Sequence, residues 1–109
     1  MMEVPKYLVQ ATYTDEGVKG LREKGGTARV EAVREAVAQL GGGVESFYFA
    51  FGEVDTYVVV DLPDNASAAS LGLAVSGSGR ARTKTVVLLS PAEVDDAASK
   101  EFDYRPPGG

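Results

Sequence analysis

Four short runs carry apolar or aromatic residues at every second position, and their order along the chain restricts the fold more than any other feature. Lys6–Tyr13 puts Tyr7, Val9, Ala11 and Tyr13 on one side, and Leu8, Gln10 and Thr12 on the other. Val44–Phe51 sets Phe47, Phe49 and Phe51 against Ser46, Tyr48 and Ala50. Thr56–Asp61 sets Tyr57 and Val59 against Val58 and Val60. Arg80–Leu89 sets Arg82, Lys84, Val86 and Leu88 against Thr83, Thr85, Val87 and Leu89. A period of two in β-branched and aromatic residues is the signature of strands. The short Gly52–Asp55 link makes the middle two runs an antiparallel hairpin.

Helical spacing fills the gaps between the runs. Thr14 reads as an N-cap, with Asp15 and Glu16 in the first turn, where the helix dipole favours acids. That piece is short and ends at Gly25-Gly26. Thr27–Leu40 is the main helix, capped by Thr27, with Val30, Val33, Val37 and Leu40 as its stripe. Arg29, Glu31, Arg34 and Glu35 fall mostly on the other side and read as a solvated charged face. Gly41–Gly43 stops the helix. Pro63-Asp64-Asn65 opens another over Ala66–Ser76, with Leu71, Ala74 and Val75 buried. Ser90-Pro91-Ala92-Glu93 starts a last helix with a capping serine, an early proline and a glutamate three after the cap. It fades near Lys100, and the tail from Glu101 ends in Pro and Gly.

The order is β-α-β-β-α-β plus a C-terminal helix. This is the α+β, ferredoxin-like arrangement, an antiparallel sheet with helices on one face. The chain is expected to be one domain, residues 1–109, with a core over about 5–89 and a loose tail from 101.

Helices cover one sheet face, yet these strands are apolar or aromatic on both. Leaving the second face in water would expose a patch of several hundred square ångströms. Pairing sheet to sheet with a second copy removes it and leaves room for a pocket. This predicts a homodimer, or a higher even-numbered oligomer, with a dimeric α/β-barrel arrangement. The alternative is a monomer whose C-terminal helix and tail cover that face.

Composition narrows the chemistry. The 109 residues include no cysteine and no histidine. Disulfides, thiolate nucleophiles, Cys/His metal sites and imidazole bases are therefore excluded. The net charge of -5 argues against a general nucleic-acid binder. No run approaches the ~18 apolar residues of a membrane span, and no basic-then-apolar leader opens the chain. A cytoplasmic protein with no membrane association is expected. The glycine pairs lack phosphate-loop spacing. No metal site is signalled, and no cofactor is expected.

Several of these residues also carry a family resemblance. Tyr7-Leu8-Val9 followed by Tyr13-Thr14-x-x-Gly17-x-x-Gly20, then Arg29, Gly42, Tyr48, Gly52 and Asp55, Pro63-Asp64, and Gly79-x-x-Arg82-Thr83-x-Thr85 resemble the GYD domain proteins. These are small bacterial and archaeal proteins, and the likeness runs from about Pro5 to Leu89. It departs at Val54, where the family often carries tyrosine. The resemblance implies the dimeric α/β-barrel fold. It implies no single activity, because the wider superfamily holds cofactor-independent monooxygenases, isomerases, haem enzymes and ligand sensors.

The candidate site residues are Gln10, Tyr48, Asp55, Tyr57 and Arg82. Asp55 enters an apolar strand from a glycine turn. It reads either as a desolvated base or as a backbone-capping aspartate. Arg82 reads either as a clamp for an anionic ligand or as an ion pair with Asp55, Asp61 or Glu45. Tyr48 and Tyr57 read as ligand-orienting hydroxyls or as interface packing. Gln10 is the polar oddity of its face. Three functions follow. The leading one is a non-enzymatic oligomeric binder of a small apolar or aromatic molecule. The others are a cofactor-independent oxygenase or isomerase using Asp55 with Tyr48 or another strand tyrosine, and a structural or regulatory interaction module.

Overall fold

The computed structural model of the chain describes residues 4–108. The expected elements form in the expected order: β1 (Lys6–Tyr13), α1 (Asp15–Lys24), α2 (Gly26–Gln39), β2 (Gly43–Phe49), β3 (Thr56–Asp61), α3 (Asn65–Gly77), β4 (Ala81–Leu88) and α4 (Pro91–Ser99). The strands lie β2-β3-β1-β4, and every neighbouring pair is antiparallel. This is the ferredoxin-like sheet that the order of periodicities predicts.

The alternation in β1 decides where the core sits. Tyr7, Val9 and Ala11 are buried. Tyr7 and Val9 meet Val58 and Val60 of β3, Val37 of α2, and Ala68 and Leu71 of α3. Leu62, just past β3, is fully buried in the same cluster. The odd-numbered side of β1 is therefore the helix side, and the even-numbered side faces outward.

Four local expectations are corrected. The helix expected to start at Thr27 starts at Gly26, with Gly25 at its cap and no side-chain cap bond. Gly25 has a φ of 86°, and its N–H closes α1 on the Leu21 carbonyl at 2.7 Å, so the chain turns from one helix to the next within a single residue. β2 ends at Phe49 rather than Phe51. The hairpin closes through Ala50 N–H donating to the Asp55 carbonyl at 2.8 Å, which leaves Phe51 in the turn and fully exposed. A register shift between Val44 and Ser46 also interrupts the alternation, so Val44 and Phe47 both pack toward the core. On α3 the buried stripe is Ala68, Leu71 and, partly, Val75, whereas Ala74 is exposed. The 68-71-75 spacing is the helical three-then-four.

α4 begins as expected, with a complete capping box between Ser90 and Glu93. Every residue of α4 is exposed, and none joins the core cluster. The radius of gyration is 16.9 Å. A compact chain of this length has about 13 Å. α4 and the segment after it stand off the sheet-and-helix body. Among the described residues, no helix is long and apolar enough to cross a membrane.

Candidate functional site

The outward face of the sheet is built from strand register. Tyr48, Tyr57, Gln10 and Lys84 are successive cross-strand partners, one from each of the four strands. The next row is Ser46, Val59, Leu8 and Val86. Side chains opposite each other in such rows stand about 4.5–5.5 Å apart at Cβ, close enough to act as one surface. Tyr48 is 70% exposed and Tyr57 40%. Arg82 pairs with Thr12 in the β1–β4 ladder and belongs to the same face as Lys84.

Charge on this face is divided between its two ends. Lys6 Nζ donates to Asp61 Oδ1 at 2.7 Å and to Glu45 Oε1 at 3.2 Å. The Asp61 bond, and then the Glu45 bond, raise the Lys6 pKa above its ordinary value. At the opposite end, Arg82 and Lys84 enter no ion pair among the described residues. The ion-pair alternative for Arg82 does not form among the described residues, because strand register sets Arg82 beside Thr12 while Asp61 and Glu45 lie with Lys6 at the other end of β1.

Asp55 has a different place. Its Oδ2 accepts the Tyr13 backbone N–H at 2.8 Å, and its own N–H donates to the Ala11 carbonyl at 2.9 Å. The carboxylate closes the end of β1 just before the chain enters α1. Of the five candidate residues, the strand register brings Gln10, Tyr48, Tyr57 and Arg82 onto one face, while Asp55 is spent on local backbone. Tyr7 is likewise structural. Its hydroxyl donates to Asn65 Oδ1 at 2.7 Å and ties β1 to the start of α3. Burial pushes the Tyr7 phenol pKa up, and the negative charge of Asp64 adds to the rise.

Arg29 corrects the reading of the main helix. It is half-buried rather than solvated, and its Nε is sealed from solvent with no acceptor among the described residues. The signal was present in the sequence. Position 29 is one helical repeat before Val33 and two before Val37, so Arg29 opens the buried stripe. Acidic and basic neighbours at 31, 34 and 35 obscured it. Among the described residues, no group of acidic side chains is arranged to hold a metal ion.

The GYD domain model covers residues 7–98, from the start of β1 to the end of α4. The chain belongs to the GYD domain family. No curated protein and no solved structure matches it. Within this GYD domain, the matched stretch contains both the outward sheet face and Arg29.

Proposed function

We propose that this GYD domain is a homo-oligomeric, non-enzymatic binding module. Two copies pair through their outward sheet faces and enclose a small apolar or aromatic molecule between them. The observation that carries the reading is the open aromatic row. Tyr48 and Tyr57 stand in register beside Gln10, flanked by Leu8, Val59 and Val86, on a face that no helix among the described residues covers. The C-terminal helix was the intramolecular candidate to cover it, and α4 is exposed along its whole length. Leu8, Val59 and Val86 supply apolar area, while Gln10, the tyrosine hydroxyls and Arg82 supply the few polar groups that orient a ligand. The engagement of Asp55 with the Tyr13 amide weighs against Asp55 as a free base.

The test is native mass spectrometry and analytical ultracentrifugation of the parent and of Val59→Lys. Val59 lies between Leu8 and Ser46 in the middle of the face. The parent is expected to be a dimer or a multiple of two, with retained small-molecule mass. Val59→Lys is expected to be a folded monomer with the parent's circular dichroism. A monomeric parent at tens of micromolar, or an unchanged dimer in the variant, overturns the proposal.

A further inference from the structure

A second site lies on the opposite side of the sheet, and the sheet-face reading does not use it. The cleft between α1, α2 and the turn before β4 has a volume of about 310 Å³ and is lined by Lys24, Arg29, Arg80 and Ser78 with small residues such as Gly20 and Ala28. Three cationic residues line it, and no carboxylate does. None of the three enters an ion pair among the described residues. A chain of net charge -5 has acids to spare, so a cleft furnished only with cations is a local choice against the composition. A guanidinium N–H withdrawn from water without an acceptor is costly, and Arg29 Nε is in that position.

Arg29 also lines a second cavity. This slot of about 100 Å³ lies between the helices and the sheet, walled by Val9, Val33, Val58, Leu71 and Val75, and it shares Tyr13, Arg29 and Ala32 with the cleft. An engineered apolar cavity of about 150 Å³ admits benzene, so this smaller space suits a chain of a few carbons. A cleft lined by cationic residues and an apolar slot thus meet at one arginine.

We propose that this GYD domain binds a small amphiphilic carboxylate at the junction. The carboxylate lies against Arg29 with Lys24 and Arg80 around it, and the short hydrocarbon tail enters the slot behind. The planar fork of arginine matches a carboxylate in two parallel hydrogen bonds. The walls of the slot carry aliphatic side chains, which reward a tail and reject a second charge. The site is complete within one copy and does not depend on the pairing of sheet faces.

The experiment is a titration of the full chain with sodium acetate, butyrate and hexanoate, and with 1-hexanol, followed by calorimetry and by the Arg29 Nε–H resonance in ¹⁵N-resolved NMR. Hexanoate is expected to bind and shift that resonance. Affinity should rise about fourfold per methylene until the slot is full. Hexanol should not compete. Arg29→Met is expected to weaken hexanoate about 10- to 100-fold, and Arg29→Lys by less. Gly20→Leu keeps all three cations and adds bulk to the cleft lining without a clash, because a Cβ there meets nothing within 4 Å; it should weaken hexanoate binding in a folded protein. Equal affinity for acetate and hexanoate, an unmoved Arg29 resonance, or full binding by folded Gly20→Leu overturns the proposal.

Discussion

Gly17 and Gly20 sit one helical turn apart on α1, and the structure assigns opposite consequences to the same substitution at the two positions. A Cβ on Gly17 would lie 2.0 Å from the Arg80 carbonyl oxygen and 3.1 Å from Tyr13 Cδ1. Reaching 3.4 Å, the lower edge of ordinary contact, requires about 1.4 Å of separation from a backbone atom. That backbone is not free to leave. Thr14 N–H donates to the same Arg80 carbonyl at 3.0 Å, and Thr14 Oγ1 donates to the Gly79 carbonyl at 2.9 Å. Separation of that size breaks both bonds, at about 1 kcal/mol each. Any overpacking that is not relieved adds about 1–3 kcal/mol. The better helix propensity of alanine returns about 1 kcal/mol. Gly17→Ala should therefore lose about 2–4 kcal/mol and lower Tm by roughly 9–17 °C. Gly20→Ala meets nothing within 4 Å and keeps only the propensity gain, about 0.5–1 kcal/mol, so its Tm should rise by a few degrees. Calorimetric melts supported by urea midpoints at constant m measure both. A Gly17→Ala protein as stable as the parent, or a Gly20→Ala protein destabilised to the same degree, refutes the close-packed contact between α1 and the turn before β4.

Two further predictions concern the ends of β1. Tyr7→Phe removes the hydroxyl that donates to Asn65 and should cost about 1 kcal/mol near neutral pH. Because the folded Tyr7 pKa is raised above 10.0, its contribution is complete below pH 10 and is lost as pH rises through the folded value. The parent's stability should thus fall more steeply than that of Tyr7→Phe above pH 10, and parallel curves in denaturant melts at pH 9 to 11 contradict this. Asp55→Ala strips the acceptor from the part-buried Tyr13 N–H and should cost about 1–3 kcal/mol, while Asp55→Asn, which keeps an oxygen there, should cost less. Thermal melts equal to the parent's for both variants would show that Asp55 does not hold the strand end.

Sequence alone determined the order and type of the elements. Period-two alternation and helical spacing depend only on which residues sit two, three or four apart, and that information is local. The same patterns revealed that both sheet faces are apolar, and they separated Tyr7, Val9 and Ala11 from Leu8 and Gln10. The capping box at Ser90 was legible for the same reason, since its donors and acceptors lie within four residues. Tertiary structure decided what depends on register and on distant neighbours. A bulge after Val44 set which side of β2 faces inward, and the hairpin closure left Phe51 outside. Strand register placed Gln10, Tyr48 and Tyr57 in one row, and pairing along β1 gave the Asp55 carboxylate to Tyr13. Arg29 shows the limit most clearly. Its spacing from Val33 was in the sequence, but that the stripe there opens on a cleft with Lys24 and Arg80 follows from residues up to 56 positions apart meeting in space, which local patterning does not encode.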